Sequence, residues 1–217
     1  MNIFKFGGAS VNSAEGVRNF VKIVQLYKEE TIIVLSAMGK TTNALEEITN
    51  DFFAKNNNYE PKFRAVKSYH YDIVNDLFPI KDNAIYEKLE KLFQQLYDYL
   101  EKEPSLDYDF DYDMIVSFGE MLSTIIVSEF LRASGSPNKW IDIRTCLKTD
   151  DTYREGKVDW ELSQKLVPQT FSFNNTFVYV TQGFLGGTTT NLTTTLGREG
   201  SDYTAAILSY LLDVDKL

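Results

Sequence analysis

The sequence has only one cysteine and one histidine, and both scarcities exclude classes of protein. Cys146 has no partner for an internal disulfide, which is typical of a reducing compartment. A single histidine, His70, argues against a histidine-based metal site, so we predict no metal-ligating residues. Basic residues are also few, since 22 Lys and Arg face 31 Asp and Glu, for a net charge of −9. Nucleic-acid-binding proteins normally present a basic cluster, so we predict no nucleic-acid partner.

Long hydrophobic runs are missing as well. The start lacks the basic segment and apolar stretch of a signal peptide. The most apolar later stretch, 114–131, is interrupted by Glu120 and Glu129, so we do not expect it to span a membrane. With 43% apolar and 14% aromatic residues, the chain can still build a sizeable core in one large domain. We therefore predict a cytoplasmic protein without a membrane partner.

Residues 2–36 have the pattern of a βαβ unit. A strand-like segment at 2–6 precedes a helix from about Ala14 to Tyr27, for which Asn12 is the expected N-cap. The apolar, β-branched run 31–36 then reads as a buried parallel strand. Such a unit requires a right-handed crossover and a parallel sheet. The predicted fold is α/β, a three-layer αβα sandwich with a mainly parallel central sheet.

The rest of the chain continues with helices, strands and polar loops. Residues of about 60–102 are predicted to form an inserted antiparallel helical hairpin, with helices at 60–78 and 84–100 separated by Pro79 and Asp82-Asn83. The further predictions are an acidic loop at 104–113, a helix at 114–133, strands at 139–143 and 176–181, a threonine-rich loop at 183–200 and a final helix capped by Ser201.

Two glycine-rich segments about 190 residues apart carry the candidate site. Residues 7–8 follow the first strand, and residues 193–204 lead into the final helix. Small residues before a helix let backbone N–H groups approach an anion. One segment adjoins Lys5 and the other contains Arg198 and Asp202. Together they predict a phosphoryl-transfer site with a charged co-substrate.

Four side chains predict the contacts within that site, and each also has a simpler explanation. Lys5 lies in the last part of a strand, and ligands of parallel sheets bind at the carboxyl ends of the strands. Its ammonium is suited to phosphoryl oxygens, although a lysine on an edge strand can simply reach solvent. Ser36 and Thr42 follow the second strand at the same edge, where ordinary turn chemistry also explains them. Glu120 lies in an apolar helix and suits an ammonium, although a solvent-facing carboxylate is the usual interpretation.

The two charges near the final helix also have alternative interpretations. Asp202 in the first helical turn can orient a lysine or hold Mg²⁺, or it can simply complement the helix dipole. Arg198 is suited to bidentate recognition of a carboxylate, or it can be a solvated loop residue. Glu199 adds a negative charge beside the same site.

Five sequence blocks resemble the amino-acid-kinase family and, within it, the aspartokinases. They occur in family order over almost the whole chain, while residues 50–110 contribute nothing. The blocks are Lys5-Phe6-Gly7-Gly8-Ala9-Ser10-Val11, Val34-Leu35-Ser36-Ala37 with Thr42-Asn43, Ser117-Phe118-Gly119-Glu120, Thr181-Gln182-Gly183-Phe184 and residues 193–206. The resemblance implies ATP-dependent phosphorylation of the side-chain carboxylate of L-aspartate to 4-phospho-L-aspartate. That reaction is the first step in making lysine, threonine and methionine.

The resemblance also implies a role for each candidate residue. Lys5 and Asp202 would be catalytic, with Asp202 organising the lysine or the metal. ATP, with Mg²⁺, would contact Lys5, Gly7, Gly8, Ala9 and Ser10. L-Aspartate would be held by Ser36, Thr42, Glu120, Arg198 and Ser201, with Glu120 on the amino group and Arg198 on a carboxylate. The full-length family member is expected to be a homo-oligomer.

Departures from the family pattern limit these expectations. Ala9 stands where threonine is usual, and Glu199 stands where glycine is usual. The family's nucleotide lobe and regulatory domains follow beyond residue 217, so we expect residues 1–217 to be the substrate-binding part. ATP and Mg²⁺ are then not expected to bind fully, and little or no kinase activity is expected from these residues alone. The alternatives are a related acyl-phosphate-forming kinase and a non-catalytic amino-acid-binding module; the first is disfavoured because Glu120 and Arg198 suit a free α-amino acid.

Overall fold

The computed structural model describes residues 1–56, 58–80, 83–214 and 216–217. Within them, the helices are α1 (Ala14–Gln25), α2 (Thr41–Phe53), α3 (Tyr59–Leu77), α4 (Ala84–Leu100), α5 (Tyr108–Ala133), α6 (Trp160–Thr170) and α7 (Gly200–Leu211). The strands are β1 (Asn2–Phe6), β2 (Thr31–Leu35), β3 (Lys139–Ile141), β4 (Val178–Gln182), β5 (Leu185–Gly187) and β6 (Thr193–Thr195).

Four strands form a parallel sheet in the order β1-β2-β4-β3. Lys5 is in register with Val34, which is in register with Thr181. All five residues of β2 are buried, as its continuous β-branched run predicts. The edge of β1 is extended by Lys216, whose carbonyl accepts the Ile3 N–H at 3.1 Å. The carboxyl ends of β1 and β2 therefore open at one rim of the sheet.

Helices cover both faces of this sheet. On one face the Phe6 ring meets Phe20 of α1 edge to face at 4.7 Å, and α5 packs over β2, β4 and β3. On the other face α7 packs on β1 and β2, and α6 packs beside α7. The predicted three-layer αβα sandwich is confirmed.

The predicted helical hairpin is confirmed as α3 and α4. The Tyr59 hydroxyl donates to the Leu100 carbonyl at 3.3 Å, and the Tyr86 hydroxyl donates to the Phe78 carbonyl at 2.8 Å, so the helices run antiparallel. Asn83 caps α4, whereas Asp82 lies outside the described residues. His70 is buried here with Nδ1 2.8 Å from the Val66 carbonyl, and burial lowers its pKa to about 4. It is a core histidine.

Two predicted caps are wrong. The first helix is capped by Ser13, whose hydroxyl accepts the Gly16 N–H at 3.1 Å, and not by Asn12. The N-cap of α7 is Glu199, so Ser201 lies inside the first turn. In both cases the capping residue lies one or two positions from the predicted one, a difference that hydrophobic periodicity cannot resolve.

Two predicted loops are also wrong. The acidic segment 104–113 is half helical, since α5 begins at Tyr108 and Asp107 caps it by accepting the Asp109 N–H at 2.9 Å. The polar segment 183–200 contains the antiparallel pair β5 and β6, whose threonines are buried. Polar composition suggested solvent exposure in both places, but these side chains have hydrogen-bond partners inside the fold.

Helix α5 is the one described helix that is long and apolar enough to cross a membrane. Within its most apolar stretch, 72% of the residues are buried inside the fold. This burial is typical of a core helix, and α5 contacts α2, α4 and the sheet.

Candidate active site

A cleft of about 780 Å³ opens at the carboxyl ends of β1 and β2. It gathers side chains from β1, the β2–α2 segment, α5 and the start of α7. The predicted site residues on its wall are Lys5, Ser36, Thr42, Glu120, Arg198, Ser201 and Asp202. Residues separated by most of the chain thus share one cavity, as the two glycine segments predicted.

Lys5 and Asp202 form an ion pair at the mouth of the cleft. Lys5 Nζ lies 3.1 Å from Asp202 Oδ1 and 3.2 Å from Oδ2. The side chains are 22% and 62% exposed, so the pair contributes at most about 1 kcal/mol to stability. Its consequence is positional, because the carboxylate holds the ammonium where β1 meets the first turn of α7.

The loop after β1 requires glycine at residue 8. A Cβ there would lie 2.3 Å from the Ala37 carbonyl oxygen, and the Gly8 carbonyl accepts the Gly39 N–H at 3.0 Å. Gly7 lies beside Lys5, since a Cβ on it would be 3.7 Å from Nζ. Gly8 thus lets the loop after β1 pack against the loop after β2.

The predicted phosphate cradle is placed next to the cleft and not on its described wall. Gly7, Gly8, Ala9 and Ser10 are absent from the residues that line the cavity. Ser10 already donates its N–H to the Gly7 carbonyl at 2.9 Å within a short 3₁₀ turn. Their role with nucleotide phosphates stays a prediction.

Glu120 places a carboxylate at the middle of α5 with 2% of its surface exposed. Oε1 accepts the Ala37 N–H at 3.1 Å, and Oε2 has no hydrogen-bond partner among the described residues. Burial raises the pKa of this carboxyl group to about 8. A buried oxygen without a partner is costly, so this arrangement is suited to a cationic ligand.

Close approach of α5 to the cleft depends on Gly119. A Cβ at this position would lie 2.9 Å from the Ala37 Cβ. The missing side chain lets the helix reach the segment after β2, from which Ala37 donates to Glu120. The sequence anomaly of glycine inside an apolar helix therefore has a packing cause.

The start of α7 forms the opposite side of the cleft. Gly183 makes room for it, since a Cβ there would lie 2.5 Å from the Ser201 Cβ. Glu199 has φ +56°, in the left-handed region that favours glycine. Arg198 is exposed on the cleft wall and forms no ion pair among the described residues. It remains available to an anionic ligand.

Sequence reasoning missed two residues that shape the cleft, Asp113 and Arg154. The buried Asp113 carboxylate accepts the Thr195 N–H at 2.8 Å, the Thr195 hydroxyl at 2.7 Å and the Arg154 N–H at 2.9 Å. Burial raises its pKa to about 6. The Arg154 guanidinium lies 4.3 Å from the centre of the Tyr112 ring and 3.3 Å from Asp109. The i, i+4 spacing of Asp109 and Asp113 was the available signal, because it puts both on one helix face.

The charges on the cleft wall are mixed and acidic in balance. Lys5, Arg154 and Arg198 face the carboxyl groups of Glu46, Asp109, Glu120, Glu155, Glu199 and Asp202. Across the described ranges, no three His, Cys, Asp or Glu side chains are grouped to hold a metal ion. The residues present therefore fit Mg²⁺ only as a companion of nucleotide phosphates, with Asp202 as the carboxylate beside Lys5.

The chain was compared with known proteins and structures. The sequence profile of the amino acid kinase family matches residues 1–217. Lysine-sensitive aspartokinase 3 of Escherichia coli is 30% identical over 217 residues, covering 99% of this chain and 47% of the relative. Chloroplastic aspartokinase 1 of Arabidopsis thaliana is 33% identical, covering 99% and 39%.

Solved structures agree with these matches. The fold superposes on E. coli aspartokinase III in complex with lysine and aspartate with a TM-score of 0.88, at 29% identity, over 98% of this chain and 47% of that one. The complex of the same enzyme with aspartate and ADP gives 0.86 at 30% identity. The chain thus spans about half the length of these relatives. From the match over all 217 residues, this chain belongs to the amino acid kinase family.

Proposed function

We propose that this chain provides the amino-acid side of an aspartate kinase, which transfers the γ-phosphoryl group of ATP to the side-chain carboxylate of L-aspartate. The observation that carries the proposal is the shared cleft. It is lined by the buried Glu120 carboxylate and the Arg198 guanidinium, neither of which has an ionic partner among the described residues, and by the Lys5–Asp202 pair. The similar E. coli structures contain aspartate, and one contains ADP.

The proposed contacts follow from charge. The α-ammonium of aspartate supplies the cation that Glu120 Oε2 lacks, and Arg198 is suited to bind a carboxylate with two parallel hydrogen bonds. Ser36, Thr42 and Ser201 also line the cleft, and their hydroxyl groups are proposed to donate hydrogen bonds to the remaining carboxylate oxygens of aspartate. An N-acylated or amino-free acid would leave Glu120 without its cation.

The transfer itself needs little from the protein beyond position and charge. A carboxylate is already a nucleophile, so one of its side-chain oxygens forms the new P–O bond without a general base. Bound ATP would supply the phosphoryl group, whose bond to the β-phosphate oxygen would break, and Mg²⁺ would neutralise the charge of the phosphates. Lys5 is placed to neutralise phosphoryl oxygens, and Asp202 holds Lys5 in position.

Several finer assignments stay predictions. They are the phosphate contacts of Gly7, Gly8, Ala9 and Ser10, the first step of lysine, threonine and methionine formation, a cytoplasmic location and a homo-oligomer. The division of the family fold, with residues 1–217 as the substrate-binding part and 60–102 as an insertion, is likewise a proposal. It is supported by the 47% share of the E. coli relative that the chain spans.

Calorimetry with L-aspartate tests the binding part. We expect saturable binding of L-aspartate. Succinate and N-acetyl-aspartate should bind at least about tenfold more weakly, since each lacks the ammonium. Arg198→Ala should weaken aspartate binding by about 10- to 100-fold, the range for a charged hydrogen bond. Arg64→Ala, which removes an exposed arginine of α3, is the matched control and should leave the affinity for aspartate unchanged. Equal affinity in the Arg198 variant would contradict the assignment.

Trapping of an acyl phosphate with hydroxylamine tests the chemistry. Because residues 1–217 alone are expected to show little or no kinase activity, the full-length product is incubated with ATP, Mg²⁺ and a panel of acidic amino acids, and the E. coli enzyme serves as positive control. Hydroxamate formed from L-aspartate above all other acids supports the proposal. A preference for another acid indicates a related acyl-phosphate-forming kinase, and tight aspartate binding without hydroxamate corresponds to an amino-acid-binding module.

A further inference from the structure

A second cavity of about 470 Å³ shares Arg198, Gly197 and Glu155 with the cleft. We call it the lateral pocket, and its other lining residues include Lys157, Val158, Trp160, Leu196 and Tyr203. It is formed by the segment before α6, the first residue of α6, the segment before α7 and the first turn of α7. Apart from Arg198, none of these residues has a role in the proposed kinase chemistry.

Two aromatic side chains, Val158 and the buried Leu196 form the apolar part of its lining, and the rest of the lining is polar. Trp160 and Tyr203 are each 43% exposed, although rings of this size are usually more buried. The Trp160 ring is held edge to face against Tyr210 at 5.7 Å, so its orientation is set without a ligand. The buried Leu196 lines the pocket beside these rings, and a cavity of about 470 Å³ is large enough for a single flat ring.

The rim carries two basic side chains in a protein of net charge −9. Lys157 and Arg198 face one carboxylate, that of Glu155. Neither cation forms an ion pair within the described part of the chain. Two cations beside two partly exposed rings are complementary to a small molecule that carries an anionic group on an aromatic ring.

We propose that the lateral pocket binds a small aromatic anion, with its ring against Trp160 and Tyr203 and its carboxylate or phosphate on Arg198 and Lys157. Because Arg198 also lines the cleft, an occupied lateral pocket competes with the amino acid for this guanidinium. The pocket stands on its own residues, whereas the competition rests on the proposed function.

Direct binding is measured with phenyl phosphate by tryptophan fluorescence. The Trp140→Phe variant leaves Trp160 as the only tryptophan of the chain's two, so its emission reports the lateral pocket. We expect a saturable change with phenyl phosphate, and none with inorganic phosphate or benzyl alcohol at equal concentration. Adding Arg198→Ala should weaken the phenyl phosphate response at least about tenfold. An equal response to inorganic phosphate, or none to phenyl phosphate, would overturn the pocket.

Competition is measured by titrating L-aspartate calorimetrically with and without saturating phenyl phosphate. We expect the apparent Kd for aspartate to rise at least about fivefold, and this rise to disappear in Trp160→Leu, whose aspartate affinity alone is unchanged. An unchanged Kd in the wild type, or an equal rise in Trp160→Leu, would refute competition. If aspartate fails to bind at all while the Trp160 response persists, the proposed function fails and the lateral pocket remains.

Discussion

At the scale of single residues, Glu120 carries a cost that a ligand can relieve. Its Oε2 is buried without a hydrogen-bond partner in the part of the chain that the structure describes, and burial raises the carboxyl pKa to about 8. A folded-state pKa above the ordinary value means that this carboxyl group stays protonated up to a higher pH in the folded protein than in the unfolded chain. Stability from this group is therefore present below about pH 4.5 and is lost as pH rises through about 8.

Glu120→Gln should stabilise the empty protein and abolish tight aspartate binding. The amide oxygen still accepts the Ala37 N–H, while the buried charge is gone. We expect a gain of about 1–3 kcal/mol in the free energy of unfolding at pH 8.5 and little gain at pH 5. Aspartate affinity should fall by about 2–3 kcal/mol. Thermal and urea unfolding at both pH values, with calorimetry, check this; an equal stability change at pH 5 and 8.5 would contradict it.

Glu199 shows a different kind of residue-scale cost, in its backbone. Its φ of +56° is left-handed, and a side chain there costs roughly 1–2 kcal/mol, which glycine avoids. We expect Glu199→Gly to be about 0.5–1 kcal/mol more stable than Glu199→Ala, after allowing for the flexibility of glycine in the unfolded chain. Urea denaturation compares them. Both variants remove the carboxylate from the cleft, so a difference between their stabilities reports the backbone conformation alone. Identical urea midpoints would contradict backbone strain at this position.

At the scale of elements, α5 organises the cleft through residues on several turns. Asp113 accepts hydrogen bonds from Thr195 and the Arg154 backbone, whereas Glu120, two turns further along α5, has one oxygen without a partner among the described residues. The apolar part of this helix at 114–133 was predictable because buried apolar residues recur along it. The first turns of α5 were not predictable, because aspartates in a polar segment suggest solvent exposure. The partners of Asp113 lie 41 and 82 residues away in the sequence, so its burial has no local signal.

Asp113→Asn and Asp111→Asn form a matched pair on α5. Each carboxylate accepts three hydrogen bonds, Asp113 from Thr195 and Arg154 and Asp111 from Tyr99 and Ser105. Each change should lower the free energy of unfolding by about 1–3 kcal/mol, because an amide satisfies fewer donors. Only Asp113→Asn should also weaken aspartate binding, since Thr195 and Arg154 line the cleft. Calorimetry separates them, and equal binding losses would refute a role for Asp113 in positioning.

The same contrast explains how much of the site the sequence could predict. Strand-end positions gave Lys5 and Ser36, and the glycine segment gave Arg198 and Asp202, because the geometry of parallel sheets fixes where such residues meet. Arg154 could not be predicted, since its place depends on a left-handed φ of +65° and on the Tyr112 ring. The N-cap of α7 was assigned to Ser201 because Glu199 in that role has no side-chain signal.

At the scale of the whole molecule, the cleft exists only when distant parts of the chain are assembled. Lys5 and Asp202 are 197 residues apart, and Ala37 and Glu120 are 83 apart. A ligand that binds across these segments is bound by the folded state and not by the unfolded chain. Its binding free energy therefore adds to the stability of the entire fold.

L-Aspartate should accordingly raise the unfolding temperature in a pH-dependent way. At about 100 times Kd the gain is about 2.7 kcal/mol, or roughly 5–10 °C for a chain of this size. Glu120 must be ionised to receive an ammonium, and with a pKa of about 8 it is mostly protonated at pH 6. Affinity should thus fall by up to about tenfold per pH unit below 8, and the thermal shift at a fixed aspartate concentration should be smaller at pH 6 than at pH 8.5. Succinate should give little shift at either pH, and Glu120→Gln should remove the pH dependence. A shift with aspartate that is as large at pH 6 as at pH 8.5 would show that Glu120 does not hold the ammonium, because an ammonium bound by Glu120 requires that carboxyl group to lose its proton.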